Sequence, residues 1–347
     1  MQQYRIDKPI RLIETFSGIG AQALALKYLG VHFENWITSD WDITATKAYH
    51  AIHMPNDTKD YSSKLTKNEI IDELYRLNVS SDGKKPLSKD KIARKSESWL
   101  RETYNDFIAT HNVGSICNCS GKDFNIVDQD KYNYIFTYSW PCQAVSNAGL
   151  RGGMKKGSGT SSSLLWEIER LLIDFNKLNC LPNVLIAENV SAAHNKKNIK
   201  DFNSWLTVLD KFGYNTYWTD LNAKDYGSPQ NRSRVFIVSI LGAYSYEFPK
   251  PIPLKKCLKD VLEDDVPEEY YINNDKAQEL IEKLIIEGTL PQEEDKQTYD
   301  LKNMGTNNPD YKPNAKPIDV GHCICARDWK GLQNYSSNGV IENEGTR

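Results

Sequence analysis

The sequence has few of the features that mark membrane, secreted or disulfide-stabilised proteins. No apolar run reaches the about 18 residues of a membrane span, and the N-terminus lacks the basic and then apolar order of a signal peptide. Seven cysteines in 347 residues are too few for a disulfide scaffold. We therefore expect a cytoplasmic protein with no membrane segment, in which a reducing environment leaves thiols free to react.

Length and charge limit the architecture more than they limit the partners. A chain of 347 residues suffices for one large α/β domain and a smaller one, but not for three ordinary domains. The net charge of −3 neither favours nor excludes a nucleic acid, because the local clustering of basic residues matters more than their sum. Two such clusters occur: Lys84, Lys85, Lys89, Lys91, Arg94 and Lys95 in the first, and Arg151, Lys155 and Lys156 in the second.

Short apolar segments alternate with helical patterns in the first 240 residues. "IRLIETF" (10–16), "NWITSD", "YNYIFTYS" and "NVLIAEN" are typical of strands, and "AQALALKYLG" predicts a helix closed by Gly30. "SLLWEIERLLIDF" has one apolar helical face, and a further helix is predicted from near Asp201 to Gly213. This alternation predicts an α/β fold with a doubly wound, mostly parallel sheet. "YNTYWTDL" and "RVFIVSIL" predict an antiparallel pair at its edge.

Composition also indicates where the domains divide. Residues 1–244 are predicted to form the sheet domain, with a charged insertion at 57–122 that contains helical pieces such as "KNEIIDELYRL". Beyond about residue 243 the sequence is polar and irregular.

In an open α/β sheet, ligands bind at the carboxyl ends of the strands. "FSGIG" places Gly18 and Gly20 in a strand-to-helix turn, whose free N–H groups can receive an anionic group, although a plain tight turn explains it equally well. Asp40 ends the next strand, where a carboxylate can accept both ribose hydroxyls. Trp41 can cover an adenine ring or pack in the core. Asp123 can bind an adenine amino group, although a loop aspartate is more often a cap or a solvated charge. Together they favour a nucleoside site.

The stretch "YSWPCQAVSN" (138–147) places a cysteine at the same edge. Cys142 follows a proline and precedes a glycine-rich segment. A lone cysteine is usually a buried structural residue. Here, however, Glu188 ends the strand "NVLIAE", and "QNRSR" places Arg232 and Arg234 at the start of a strand that should run antiparallel. Because that start lies at the same edge, a thiol, a carboxyl group and guanidinium groups should converge in a reaction centre.

Five separated motifs, "FSGIG", "SDWD", "SWPCQ", "ENV" and "QNRSR", resemble in this order the DNA (cytosine-5) methyltransferase family of bacteria and phages. The resemblance covers about residues 10–240. It implies a sheet of the S-adenosylmethionine-dependent methyltransferase type, S-adenosylmethionine as cofactor and double-stranded DNA as partner. By the family pattern, the cofactor-binding residues are Phe16, Ser17, Gly18, Gly20, Asp40, Trp41, Asp123 and Pro141.

The resemblance also implies catalytic roles. Cys142 is the nucleophile, Glu188 contacts the target ring, and Arg234 and Arg232 steady that ring. A thiolate that adds to C6 of cytosine turns the ring into an enamine, which can attack a sulfonium methyl group. Because this chemistry needs a base outside the duplex stack, the loop from Gln143 to about Ser162 is expected to close over a flipped cytosine. The predicted DNA contacts are Gln143, Ser146 and Arg151.

The sequence departs from the family pattern in three places. Tyr134 stands where the family often has an aspartate, and Ser161 to Ser163 replace an arginine-and-glycine pattern. "HCICARDWKGLQNYSSNGVIE" (322–342) resembles the segment after the target-recognition region, but the family's later "GN" piece, which completes the cofactor pocket, is not found. We therefore expect 245–317 to form a partial target-recognition region and 318–347 to lead back to the catalytic domain and end early. A complementing C-terminal polypeptide is the partner that this predicts.

Other interpretations remain open at this point. Cys117 with Cys119 and Cys323 with Cys325 form C-x-C pairs, but zinc sites more often have two to four intervening residues, so no metal is predicted. The function predicted first is DNA cytosine-5 methylation beside a restriction endonuclease or in a phage. The alternatives are an RNA-directed enzyme and a catalytically silent or split subunit that binds cofactor or DNA. Residues 245–317 carry no readable base code, so no recognition site is predicted.

Overall fold

The structure is a computed structural model that describes residues 1–145, 152–268, 271, 275–288, 290, 297–302, 314–324 and 337–341. Its strands, in chain order, are β1 (Gln2–Gln3), β2 (Ile10–Thr15), β3 (Phe33–Ser39), β4 (Asn133–Tyr138), β5 (Val184–Val190), β6 (Tyr214–Asn222), β7 (Gln230–Asn231), β8 (Ser233–Leu241), β9 (Tyr244–Ser245), β10 (Gln297–Lys302), β11 (Asn314–Pro317), β12 (Gly321–His322) and β13 (Ser337–Ile341). Its α-helices are α1 (Ala21–Tyr28), α2 (Ile43–His53), α3 (Lys67–Arg76), α4 (Lys89–Ala93), α5 (Glu97–Ala109), α6 (Leu165–Lys177), α7 (Ile199–Lys211) and α8 (Asp275–Ile286).

Helix ends follow local sequence signals. α1 ends before Gly30, whose φ of +67° places it in the left-handed region that glycine adopts without strain. The side chain of Asp42 accepts the N–H of Ala45 and caps α2. Thr66 and Glu69 form a reciprocal capping box at the start of α3. The helices predicted from "AQALALKYLG", "KNEIIDELYRL" and "SLLWEIERLLIDF" are therefore confirmed.

The central sheet has six strands in the order β3-β2-β4-β5-β8-β6. The β3–β2, β2–β4 and β4–β5 pairs are parallel, whereas β8 runs antiparallel to β5. The prediction of a doubly wound, mostly parallel sheet with an antiparallel strand near its edge is confirmed.

Both faces of this sheet are covered, because neighbouring strand residues point to opposite sides. Ile13 and Phe136 belong to a large aromatic core with α6 and α7, while Leu12 and Ile135 pack with Ala23 of α1 on the other face. A strand covered on both faces has no exposed polar side, and all six residues of β2 are buried, including Arg11, Glu14 and Thr15.

The charged insertion between β3 and β4 folds as a helical layer around α3, α4 and α5. These helices share a small core that includes Ile70, Leu74 and Phe107, each fully buried. The layer is attached beside the carboxyl end of β3, because Ser80 donates its N–H to the carbonyl of Trp41 at 2.7 Å.

The chain divides into two compact units by its internal contacts. The first contains residues 1–220 and 234–248, and the second contains 221–233 and 249–347. Within the second, β10 pairs with β11 and β13, and β7 pairs with β12. The sequence boundary at 244 had left residues 221–233 in the sheet domain. The role of the second unit in target recognition stays a prediction. No helix in the described ranges is long and apolar enough to cross a membrane.

Candidate active site

The carboxyl ends of four neighbouring strands are aligned. Residues paired in register across β3, β2, β4 and β5 are Ser39, Thr15, Tyr138 and Ala187. The next residues along the chain are Asp40, Phe16, Ser139 and Glu188. The predicted cofactor motif, the cysteine loop and the predicted catalytic carboxylate therefore leave the sheet along one edge, as the sequence predicted.

The turn between β2 and α1, residues 16–20, is named here the cofactor turn. Phe16, Gly18 and Gly20 have φ values of +53°, +52° and +79°. A Cβ at Gly18 would meet nothing within 4 Å, whereas one at Gly20 would lie 2.3 Å from Nε2 of His53. Gly20 is thus required by close packing, and Gly18 borders open space.

Asp40 holds the cofactor turn against β3. Its Oδ2 accepts the N–H of Gly18 at 2.8 Å, and its Oδ1 accepts the N–H of Asp42 at 2.9 Å. The N–H of Gly20 donates to the carbonyl of Ser17. The prediction of free N–H groups at Gly18 and Gly20 was therefore wrong, because both already bond within the protein. Burial raises the pKa of Asp40, and the two N–H bonds act in the opposite direction.

These residues nevertheless fit a ribose diol. Each carboxylate oxygen of Asp40 has a second lone pair, so the group can accept hydroxyl donors as well as the two N–H bonds. Gly18, which donates to Asp40, borders open space, and the half-buried Trp41 follows Asp40 in the chain. Ser17 is buried, and its N–H donates to the carbonyl of Ser39 at 3.4 Å.

Asp123 has a structural role in the fold. Its Oδ2 accepts the N–H of Ser120 at 2.7 Å and the hydroxyl of the same residue at 2.9 Å. It thereby caps a short 3-10 helix, Gly121–Phe124, and is exposed. The capping alternative is present, and adenine binding by Asp123 stays a prediction.

Cys142 begins a loop whose two ends are held together. It is half-buried against the aromatic core that contains Trp140. The N–H of Gly153 donates to the carbonyl of Ala144 at 2.9 Å, which closes the base of the loop. Gln143 is exposed. The predicted DNA contacts Ser146 and Arg151 lie outside the described residues.

Two positioning residues of this loop were missed by sequence reasoning. The hydroxyl of Ser162 donates to the carbonyl of Pro141 at 2.7 Å and accepts the N–H of Ala144 at 3.1 Å. Asn189 donates from Nδ2 to the carbonyl of Trp140 at 2.8 Å. Asn189 belongs to the "ENV" motif, which could have indicated its role. Ser162 lies in the stretch from Ser161 to Ser163, which in the sequence was only a departure from the family pattern.

Glu188 and Arg234 form an ion pair at this edge, with Nε 3.1 Å from Oε1 and side-chain exposures of 18% for Arg234 and 23% for Glu188. The pair forms because β8 runs antiparallel to β5, with Val190 opposite Arg234. Arg232 belongs to the second unit, where its Nη1 donates to Sγ of Cys323 at 3.2 Å. Its catalytic role stays a prediction.

The C-x-C cysteines show no metal cluster among the described residues, where no group of three or more His, Cys, Asp or Glu could hold an ion. Cys117 is exposed and Cys119 is buried, and burial raises the pKa of Cys119 to about 11. Cys325 lies outside the described residues.

A family model for C-5 cytosine-specific DNA methylases matches residues 88–337. The chain belongs to this family. It is 39% identical over 272 residues to the orphan methyltransferase M.SssI of Spiroplasma monobiae, which covers 77% of this chain and 68% of that protein. It is 35% identical over 271 residues to the type II methyltransferase M2.ScrFI of Lactococcus lactis subsp. cremoris, with coverages of 77% and 71%.

The solved structures that match this chain include the Entamoeba histolytica methyltransferase EhMeth, with a TM-score of 0.48 at 17% identity over 80% of this chain and 67% of that one. The S. pombe Dnmt2 methyltransferase matches with a TM-score of 0.46 at 17% identity, over 81% of this chain and 65% of that one. The family match confirms the motif-based prediction: the protein is a DNA cytosine-5 methyltransferase with S-adenosylmethionine as its cofactor.

Proposed function

We propose that this chain methylates carbon 5 of a cytosine flipped out of duplex DNA, through a covalent adduct on Cys142. The observation that carries the proposal is the alignment of the Cys142 loop, the Glu188–Arg234 pair and Asp40 along one edge of the sheet. Ligands of open α/β sheets bind at that edge.

The cofactor turn and Asp40 would hold S-adenosylmethionine, which supplies an electrophilic methyl group when it is bound. Asp40 would accept the ribose hydroxyls, Gly18 would leave room for close approach, and Trp41 would cover the adenine. Phe16, Ser17, Gly20, Asp123 and Pro141 complete the proposed set. The backbone bonds of Phe16, Ser17 and Gly20 keep the turn in shape before the cofactor arrives.

Cys142 would act as the nucleophile. Its thiolate would form a bond to C6 of cytosine, and the electron pair of the C5–C6 double bond would become the C4–C5 double bond of an enamine as N3 takes up a proton. C5 could then bond to the methyl carbon, whose bond to the sulfonium sulfur breaks. Loss of the C5 proton and breakage of the Sγ–C6 bond then restore the aromatic ring. Ser162 and Asn189 support this step because they fix the carbonyl groups of Pro141 and Trp140, the two residues before Cys142.

Glu188 and Arg234 would manage the charge that develops on the ring. A proton shared between the Glu188 carboxyl group and N3 neutralises the ring when the thiolate adds, a contribution typically worth about 10²- to 10⁴-fold. Arg234 holds the Glu188 carboxyl group through its Nε and places positive charge at the same edge. Arg232 is proposed to assist the same ring.

The segment after Cys142 would close over the flipped base, with Gln143, Ser146 and Arg151 as proposed DNA contacts. Gly153, Gly157 and Gly159 all have positive φ values, so the part of this segment from residue 153 to 159 uses backbone conformations that other residues rarely adopt. Closure excludes water from the reacting ring.

The decisive experiment traps the adduct on DNA that contains 5-fluorocytosine, in which fluorine replaces the C5 proton and cannot be eliminated after methyl transfer. The wild-type chain should form a covalent complex, Cys142→Ser should form none, and the exposed Cys117→Ser should behave as wild type. An adduct in the Cys142→Ser variant, or one mapped to another cysteine, would overturn the proposed role.

Methyl-transfer and binding assays separate the alternative functions. Labelled methyl transfer to duplex DNA and to tRNA distinguishes the DNA enzyme from an RNA-directed one. Cofactor or DNA binding without turnover is the result expected of a silent or split subunit, and restored turnover with a "GN"-containing polypeptide would identify the complementing partner. Because the relative M2.ScrFI is named a type II methyltransferase, protection of DNA from a cognate restriction endonuclease is a further measurement to make.

A further inference from the structure

Helix α2 presents two buried rings to the cofactor turn. Tyr49 is 1% exposed and His53 is 7% exposed, and their ring centroids lie 4.4 Å apart. A Cβ on Gly20 would come within 2.3 Å of Nε2 of His53 and 2.5 Å of Cε2 of Tyr49. The two rings therefore pack directly on the backbone of the turn at the point where α1 begins.

These rings also hydrogen-bond to both sides of the turn. His53 Nε2 donates to the carbonyl of Ile19 at 3.0 Å in the tautomer that protonates this nitrogen. Tyr49 donates its hydroxyl to Oε2 of Glu14 at 2.6 Å, and Oε1 of Glu14 accepts the N–H of Ala23 at 3.2 Å. The end of β2 and the first turn of α1 are thus joined to α2 by hydrogen bonds. We call Glu14, Tyr49 and His53 the turn support.

The cofactor turn needs such support because its backbone is strained. Phe16 has a side chain and a φ of +53°, a conformation that costs roughly 1 to 3 kcal/mol unless the surroundings impose it. Without the turn support, the chain would relax to more common conformations, and cofactor binding would have to restore the turn. That cost would appear as weaker binding.

We propose that Glu14, Tyr49 and His53 are positioning residues that set the affinity for S-adenosylmethionine by fixing the cofactor turn, without touching the cofactor. This inference rests on the proposed role of the turn in cofactor binding. It predicts a specific kinetic pattern. Weakening the support raises KM for the cofactor and leaves kcat at saturating cofactor within about twofold, because Cys142 and Glu188 are held by other contacts.

Two substitutions at His53 separate its donor from its ring. His53→Phe keeps an aromatic ring but removes the bond to Ile19, and the loss of one part-buried hydrogen bond corresponds to about a tenfold weaker binding of S-adenosylhomocysteine. His53→Gln keeps an N–H donor of similar reach and should recover most of that loss. Titration calorimetry on the full chain measures both without relying on turnover.

The matched control is His50→Gln on the same helix. His50 bonds through Nδ1 to Oδ1 of Asp106 at 2.7 Å, on the side that faces the helical insertion. This variant should lower the melting temperature and leave cofactor affinity unchanged. If His53→Phe does not fold, Tyr49→Phe removes only the hydroxyl bonds to Glu14 and Asn35 and is expected to show the same rise in KM.

Three results would overturn the inference: cofactor affinity unchanged in His53→Phe and Tyr49→Phe, an equal loss in His50→Gln, or a fall in kcat with KM unchanged. Asp40→Ala distinguishes this failure from failure of the proposed site. If Asp40→Ala binds the cofactor as wild type does, the proposed cofactor site is wrong. If Asp40→Ala loses binding while the turn-support variants do not, only the inference on the support is wrong.

Discussion

At the residue scale, Glu188 provides the sharpest test of the proposed chemistry. Glu188→Gln cannot share a proton with N3 as a carboxyl group does, so kcat should fall by roughly 10²- to 10⁴-fold. Binding of S-adenosylhomocysteine should not change, because the cofactor turn and Asp40 lie on other strands. Glu167→Gln, on the surface of α6, is the control. Loss of cofactor binding with normal turnover at saturation would remove Glu188 from the catalytic role.

Glu14 should make stability depend on pH. Burial, as the largest cause, raises its pKa from 4.5 to about 7, against bonds from Tyr49 and the N–H groups of Ala23 and Gln22 and the charge of Lys27. The folded state therefore binds this proton more tightly than the unfolded state. The resulting stabilisation is complete below about pH 4.5 and is lost as pH rises through about 7, to a limit of about 3 kcal/mol.

Urea unfolding of wild type and Glu14→Gln between pH 4 and pH 9 measures this effect. The difference in unfolding free energy between the two proteins should shift in favour of Glu14→Gln as pH rises, because the amide cannot ionise. A difference that stays constant over that range would show that Glu14 keeps the same charge in the folded and unfolded states.

Residue types at the sheet edge could be predicted from the sequence, but their hydrogen-bond partners could not. A glycine-containing turn and a strand-ending aspartate are local patterns. That Asp40 accepts the N–H of Gly18, 22 residues earlier, depends on the register of β2 against β3.

Tyr134 is a second residue whose hydrogen-bond partners could not be predicted. Its hydroxyl accepts from Arg11 Nη1 at 2.9 Å and donates to the carbonyl of Val127 at 2.7 Å, which explains a buried tyrosine where the family often has an aspartate.

At the element scale, Ser162 fixes the loop that carries the nucleophile. Ser162→Ala removes one bond to the carbonyl of Pro141 and one to the N–H of Ala144, both at buried or half-buried positions. Leaving such groups without a partner costs about 1 to 3 kcal/mol, and the loop base should loosen. We expect slower adduct formation with unchanged cofactor affinity, measured on 5-fluorocytosine DNA.

Ser161→Ala is the control for that variant, because Ser161 and Ser162 both lie in the 3-10 helix Ser161–Leu164. It should trap DNA at the wild-type rate. An equal effect of both substitutions would mean that general destabilisation, rather than the position of Cys142, limits the reaction.

Element type and direction were the most predictable features, because alternating apolar periods follow from burial on a sheet face or a helix face. The antiparallel direction of β8 was predicted from the polar, proline-containing loop that follows β6, and it brings Arg234 beside Glu188. The loop base was not predictable. The Gly153–Ala144 and Ser162–Pro141 bonds join residues that no periodic pattern relates.

At the scale of the whole molecule, the division into units was only partly predictable. Residues 221–233 continue directly from a sheet strand, yet they belong to the second unit. There β7 pairs with β12, and Arg232 bonds to Cys323, about 90 residues later in the chain. Composition along the sequence changes near residue 243 and carries no sign of such long-range pairing.

Because the net charge is −3, binding of a polyanion should depend on local basic clusters such as the one at 84–95. Lys84, Lys85, Lys91 and Arg94 are exposed and have no ion pair among the described residues, whereas Lys89 pairs with Asp72. The logarithm of the DNA-binding constant should therefore fall linearly with the logarithm of the salt concentration, with a slope of about 0.9 for each phosphate contacted. If the exposed lysines contact the backbone, Lys84→Gln with Lys85→Gln should reduce that slope by roughly 2.

Lys64→Gln with Lys67→Gln removes the same charge from exposed positions of the same insertion, outside the basic cluster. Fluorescence anisotropy with one duplex over a range of salt concentrations compares the two double variants at equal net charge. A smaller slope only for Lys84 and Lys85 places phosphate contacts at the cluster. Equal slopes for both variants would show that DNA responds to the total charge of the protein and that the cluster is an ordinary solvated surface.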